Sequence, residues 1–277
     1  DLEVPDAVFQ QVPSTANILD YDDLIRTVNP RHRNAHKLDQ GHVLIIGGDT
    51  GMGGAVAMAA EAALFSGAGM VSVATKPENV AAIVSRRPEV MARGIDTAGE
   101  LAALMDRATI AVVGPGLGRS DWSREMFSAV TGGKLPVVVD ADGLNLLAEQ
   151  PFSNHDWVLT PHPGEANRLL NNEVRVQSDR LNSVLELQKR YCGNIVLKGA
   201  GTLIADGSQV SVCPFGNPGM SVAGMGDLLA GTIGGLLAQG LAGGEAARLG
   251  AVVHSLAADR LVAGQGERGL LATELLP

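Results

Sequence analysis

Short runs of aliphatic and β-branched residues recur along this chain, and each stops at residues suited to a tight turn or to ligand contact. Val43-Leu44-Ile45-Ile46 stops at Gly47-Gly48, and Ile110 to Val113 at Gly114-Pro115-Gly116-Leu117-Gly118. Val137-Val138-Val139 stops at Asp140, Trp157 to Leu159 at Thr160-Pro161-His162-Pro163-Gly164-Glu165, and Ile195 to Leu197 at Lys198. Met70 to Ala74 is a further run. Runs this short, apolar throughout and bounded by turn residues, read as strands buried on both faces. Helix-favouring stretches lie among them: the Ala-rich 55–66, with Gly67 and Gly69 as stops, then 144–149, a helix after Glu165, and the amphipathic 179–191. Residues 202–205 and 210–213 read as a hairpin around Asp206-Gly207, and two apolar helices, 227–239 and 244–262, close the chain. This alternation predicts an α/β fold: a mostly parallel sheet with helices on both faces and right-handed crossovers. There is no internal repeat.

Residues 1–40 differ in character. They are polar, carry Pro5, Pro13 and Pro30 and the basic patch Arg31, His32, Arg33, His36 and Lys37, and predict one short helix near 21–28. They read as a linker leading into a single domain over 41–277. The chain begins at Asp1 rather than Met, so it reads as processed or cut from something longer.

A net charge of −9 and only 3% aromatic residues argue against a nucleic-acid or anionic-membrane binder. No apolar run reaches the roughly 18 residues of a membrane span, and no signal peptide is visible. The two cysteines, Cys192 and Cys213, lack metal-ligand spacing and read as buried thiols of a reducing cytosol. Glycine, at 35 residues, far exceeds its average share of about 7%, and the excess falls in clusters at the predicted strand ends. Ligands of such sheets bind at the carboxyl ends of the strands, so that shared placement points to a small-molecule site, and the acidic net charge does not bar an anionic ligand there, because loops and helix ends can be locally positive.

The junction Gly224-Met225-Gly226-Asp227 opens the first of the two closing helices. Small residues let the backbone approach a ligand, and the first turn of a helix offers unpartnered N–H groups to an anion. Asp227 there is either a helix cap or a base that takes a proton from a hydroxyl nucleophile. Gly51-Met52-Gly53-Gly54-Ala55 forms a second helix start of this kind. Lys198-Gly199-Ala200-Gly201-Thr202 combines a cation with open backbone N–H groups, without Walker A spacing; otherwise it is a surface lysine before a turn. His162, held between two prolines, either binds a substrate polar group or faces solvent, and Glu165 either caps the next helix or helps hold a metal. Asp140, Asp142 and Asn145 suit water-mediated Mg²⁺ or helix capping. His254 reads as a satisfied core or interface residue.

Taken together, the motifs at 47–48, 114–118, 140–145, 160–165, 198–202 and 217–231 resemble the ADP-dependent NAD(P)H-hydrate dehydratase family of the ribokinase-like superfamily, over about Gly41 to Thr273. The resemblance implies a three-layer ribokinase-like fold and the repair of NADH or NADPH hydrate (NADHX, NADPHX). ADP phosphorylates the 6-hydroxyl of the hydrate, phosphate is eliminated, and NAD(P)H, AMP and phosphate result. Asp227 would be the base, and Gly224, Met225 and Gly226 the anion hole. Lys198, Gly199, Ala200, Gly201 and Thr202, with Gly226, would bind ADP. Ala55, Gly118, His162 and Asp227 would contact the hydrate. Mg²⁺ is implied without an assignable ligand. So are a cytoplasmic homotetramer and an epimerase domain ahead of the 1–40 linker. Two rivals differ in chemistry. A ribokinase-like kinase acting on a vitamin precursor or sugar would stop at a stable phosphorylated product. A non-catalytic nucleotide-binding module would not need Asp227 or His162. Dinucleotide oxidoreduction lacks its G-x-G-x-x-G signature here.

Overall fold

The computed structural model describes residues 4, 5, 8, 11, 12, 14–207 and 209–277; Pro13 of the leading segment lies outside the described residues. The strands are β1 (Asn17–Ile18), β2 (His42–Ile46), β3 (Met70–Thr75), β4 (Met91–Gly94), β5 (Ile110–Val113), β6 (Val137–Val139), β7 (Trp157–Leu159), β8 (Asn194–Leu197), β9 (Thr202–Ala205) and β10 (Val210–Cys213). They form one sheet in the order β1-β10-β9-β8-β7-β6-β5-β2-β3-β4. The run from β8 to β4 is parallel throughout, whereas β9 lies antiparallel to both β8 and β10.

Alternation along each strand splits the core in two. Leu44, Ile46, Val113, Val139, Leu159 and Leu197 belong to one buried cluster. Val43, Ile45, Val112, Val138, Val158 and Val196 belong to the other. The first cluster is covered by α4 (Ala98–Met105), α5 (Asp121–Thr131), α6 (Ala141–Glu149), α7 (Pro163–Leu169) and α8 (Arg180–Tyr191). The second is covered chiefly by α2 (Gly53–Phe65), α9 (Met225–Ala238) and α10 (Gly243–Gln265), with α1 (Tyr21–Ile25) and α3 (Val80–Arg86) at the margin. The result is the three-layer α/β architecture that the sequence pattern predicts. Both faces of the sheet are removed from water, which is why the strands carry no polar alternation.

Four elements between residues 80 and 131 escape the sequence pattern. β4 is an edge strand whose residues are largely exposed, so Met91-Ala92-Arg93-Gly94 contains no apolar run. Helices α3, α4 and α5 bury only one stripe each; α5 buries Trp122, Met126, Phe127 and Val130 and turns polar residues outward. The leading segment also joins the sheet. Asn17 and Ile18 pair with Ser211 and Val212, Asp20 caps α1, and Arg31 donates to the Gly67 carbonyl at 2.6 Å.

Strands β6, β7 and β8 are neighbours, so the residues that follow them emerge side by side on one edge of the sheet. These are Asp140, Thr160 and Lys198. Helix α9 reaches the same edge.

Candidate active site

Helix α9 starts without a side-chain cap. Its N-cap is Gly224, in the left-handed conformation at φ 93°, and a Cβ there would also lie 2.7 Å from Met58 Sδ. Leu228 N–H bonds to Gly224 O at 3.0 Å; the N–H groups of Met225, Gly226 and Asp227 precede it and have no intrahelical acceptor. Asp227 is therefore the third residue of the helix and not its cap. No hydrogen bond within the described residues engages its half-buried carboxylate. Burial, followed by the negative charge of Asp140, pushes the Asp227 carboxyl up to about 7, against the pull of Lys198.

Lys198 holds the centre of the site. Its Nζ lies 2.8 Å from Asp140 Oδ1 and 3.8 Å from Glu165 Oε2. Thr160 Oγ1 donates to the same Asp140 oxygen at 2.6 Å. Burial works against the ammonium charge, but Asp140 and Glu165 outweigh it and hold the group above its ordinary value. Burial raises Glu165 well above the carboxylate range. Its side chain closes a reciprocal cap on α7: Glu165 Oε2 accepts the His162 N–H at 2.8 Å, while His162 Nδ1 accepts from Gly164 N–H at 2.9 Å. With Nδ1 accepting, Nε2 carries the ring proton. Burial and the Lys198 charge lower the His162 pKa, so the imidazole is neutral and its N–H is a donor.

A cavity of about 760 Å³ joins these groups. Its charged end holds Asp140, Glu165, Lys198 and Asp227, with His162 and Gly199–Thr202 beside them. Its other walls come from residues 214–218, Met220, Ser221, Leu229, Ala251, His254 and Ser255. A charged pole facing an apolar recess matches a molecule with phosphates at one end and a flat, weakly polar body at the other. Of the residues singled out from sequence, Lys198, Gly199, Ala200, Gly201, Thr202, His162, Gly224, Met225, Gly226 and Asp227 share this cavity. Ala55 and Gly118 do not line it. They sit together at the start of α2, where Gly116 packs on Ala55 and Gly118 packs on Asp49 and Met52. Space beside Gly51 and Gly54 is open, so this second helix start is accessible.

Two local readings change. Asp142 and Asn145 do not cap α6: Asp142 accepts from Gly118 N–H at 2.9 Å, and Asn145 bridges Asp142 and Arg168. His254 is not a satisfied core residue, because its buried Nε2 has no hydrogen-bond partner. Burial, then the Lys198 charge, pushes its pKa down to about 4, so it is neutral. Sequence reasoning also missed Arg180. It donates to the carbonyls of Ala200 and Leu197 and so shapes the 198–202 turn. Nothing in the pattern of α8 signals that reach.

Among the described residues no group of three or more His, Cys, Asp or Glu is arranged to hold a metal, and no helix is long and apolar enough to cross a membrane. One Asp140 oxygen is committed to Lys198 and Thr160. The donor set suits a cation carried mainly by phosphates and water, with a carboxylate or two nearby, rather than an all-protein cage.

The family described as NAD(P)H-hydrate dehydratase matches residues 43–277. The bifunctional NAD(P)H-hydrate repair enzyme Nnr of Coxiella burnetii is 52% identical, over 100% of this chain and 57% of its own length. The chain thus spans about half the length of such bifunctional relatives. The ADP-dependent (S)-NAD(P)H-hydrate dehydratase of Neisseria meningitidis is 38% identical, over 89% of this chain and 86% of its own. A crystal structure of the ADP/ATP-dependent NAD(P)H-hydrate dehydratase of Bacillus subtilis, co-crystallised with ATP and Mg²⁺, superimposes with a TM-score of 0.85 at 28% identity, covering 94% of this chain and 95% of that one. The three-layer fold is the ribokinase-like one, and the chain belongs to the NAD(P)H-hydrate dehydratase family.

Proposed function

We propose that this chain catalyses the ADP-dependent dehydration of (S)-NADHX and (S)-NADPHX to NADH and NADPH. The observation that carries the reading is Asp227: an unengaged carboxylate in the third position of a glycine-opened helix, sharing a cavity with Lys198. The carboxylate takes the proton of the hydrate hydroxyl. The alkoxide oxygen attacks the terminal phosphorus of ADP, the bridging oxygen leaves with AMP, and the transferred phosphoryl group faces the free N–H groups of Met225, Gly226 and Asp227. Lys198 neutralises charge on the phosphates. The new phosphate ester then breaks at its carbon–oxygen bond. Phosphate leaves with the electron pair, the adjacent ring carbon gives up a proton to water or to the departing phosphate, and the C–H electron pair becomes the restored ring double bond.

The 198–202 turn, with Gly226, binds ADP, and the apolar recess takes its adenosine. His162 offers its Nε2–H to the hydrate. Ala55 and Gly118, outside the cavity, would meet a part of the hydrate that extends to the start of α2. Mg²⁺ would ride on the ADP phosphates near Asp140 and Asp227, where it supplies charge neutralisation. The dehydratase site lies within residues 41–277, and 1–40, which reach the same sheet through Asn17 and Ile18, follow an epimerase domain in the longer protein. A cytoplasmic homo-oligomer completes the reading.

The test supplies NADH hydrate, ADP and Mg²⁺ to the purified chain. Dihydronicotinamide absorbance should return as AMP accumulates in equal amount. A persistent phosphorylated hydrate with no recovery of absorbance would make the protein a kinase instead. Replacing ADP with ATP separates strict from relaxed donor use.

A further inference from the structure

Two loops face the cavity. Arg180 holds one of them, 198–202. The other, 214–221, forms much of the apolar wall through Phe215 and Met220 and leads directly into the Gly224 turn. Its shape depends on a residue that the reaction does not touch. Asp259, on α10, accepts the Gly216 N–H at Oδ2 (2.9 Å) and the Asn217 side-chain amide at Oδ1 (2.8 Å). Asn217 in turn accepts the Gly219 N–H at 3.0 Å and caps the short turn over Pro218–Met220. Gly216 sits at φ 106°, a conformation open to glycine and strained for other residues, and the Asp259 bond to its N–H selects it among those glycine can adopt. Ser255, one helical turn before Asp259, lines the cavity itself. One face of α10 thus supplies both the wall and the clamp that shapes the loop over it.

We propose that Asp259, acting through Asn217, is a positioning residue for the nucleotide: it fixes the 214–221 wall against which the adenosine lies. Both carboxylate oxygens are used within the protein, so the residue acts on the ligand only through the loop. The inference rests on the reading of this cavity as the ADP site.

The experiment compares wild type, Asp259→Ala, Asp259→Asn and Asn217→Ala by steady-state kinetics and by melting temperature with and without ADP. Loss of the clamp should raise KM for ADP about tenfold, the effect of one or two lost charge-assisted hydrogen bonds. The kcat should stay within about threefold of wild type, because the reacting groups are intact. Asp259→Asn keeps one accepting oxygen and should fall between wild type and Asp259→Ala. ADP should raise the melting temperature of wild type more than that of the variants. An unchanged KM for ADP in Asp259→Asn and Asn217→Ala, or a loss of kcat without a change in KM, overturns the proposal. A wild type that ADP neither stabilises nor activates overturns the nucleotide reading and the clamp together; a full ADP response shared by every variant overturns the clamp alone.

Discussion

Lys198 Nζ stands 3.2 Å from the point where Gly226 would carry a Cβ, and Asp140 Oδ2 stands 3.4 Å from it. Gly226 thus leaves open the space between a buried ion pair and the mouth of α9. Its φ is not in the left-handed region, so alanine is compatible with the backbone and with helix formation. Gly226→Ala should therefore still fold, with Lys198 Nζ giving way by a few tenths of an ångström. Its methyl group would occupy the approach of the phosphoryl group, so kcat/KM should drop by about 10²-fold, the scale of losing one anion-hole donor. A folded Gly226→Ala chain with full activity would move phosphoryl transfer away from this helix.

Asp227→Asn keeps shape and removes basicity. Turnover should fall by about 10²-fold or more, while ADP still raises the melting temperature. The pH profile carries the same information. With Asp227 ionising near 7, kcat/KM should fall about tenfold per pH unit below that point and level off above it. Stability should run the other way. The folded state holds the Asp227 proton up to about pH 7, and the unfolded chain releases it near pH 3.9. Its contribution is full below the lower value and is lost as pH rises through the higher. Glu165, raised by burial, acts in the same direction. His254 and His162, both lowered by burial, act in the opposite direction, so the comparison is with Asp227→Asn: the stability of wild type relative to that variant should fall between pH 4 and 7, and a difference that grows there would contradict the Asp227 environment.

Lys198 has two roles that a double variant can separate. The Asp140 side chain is only 2% exposed, and without Lys198 it keeps the Thr160 hydroxyl as a direct partner. Lys198→Ala should cost about 3 kcal/mol of stability, because it strands a buried charge. Adding Asp140→Asn should restore part of that loss. Neither variant should recover ADP affinity, and KM for ADP should rise by at least about tenfold and by more than KM for the hydrate. If the hydrate suffers more, the two subsites are exchanged. Full recovery of ADP binding in the double variant would reduce Lys198 to a counter-ion.

How much of this was legible follows from what each residue's pattern can carry. Val43–Ile46 and Val137–Val139 announce themselves because a strand covered on both faces must be apolar throughout. Met91–Gly94, at the sheet edge, has no such obligation and is silent. Asp140, Thr160 and Lys198 each stand out at a strand end. Their meeting depends on β6, β7 and β8 being neighbours, a matter of sheet order that local sequence does not encode. Arg180 and Asp259 are harder still. Each is an ordinary polar residue on an ordinary helix, and its role appears only where its tip reaches a loop backbone. Asp227 was visible as an acid at a helix start. The structure gives the cap to Gly224, which removes the cap reading and leaves the base as the proposed role.

Helices α2 and α9 cross so closely that a Cβ on Gly231 would lie 2.0 Å from the Ala59 carbonyl oxygen, and one on Gly235 would lie 2.6 Å from that of Ala63. Both neighbours are backbone atoms, which move only if a helix moves. Gly231→Ala should therefore destabilise the chain by about 2–3 kcal/mol, the cost of overpacking a tight core, despite the better helix propensity of alanine. Gly264 provides the contrast. It lies in the exposed last turn of α10 with nothing within 4 Å of an added Cβ, so Gly264→Ala should gain about 0.5–1 kcal/mol. Urea denaturation of the two variants checks the opposite signs. A gain in stability for both would mean that the α2–α9 contact is looser than drawn, and with it the placement of Gly224 against Met58 at the mouth of the site.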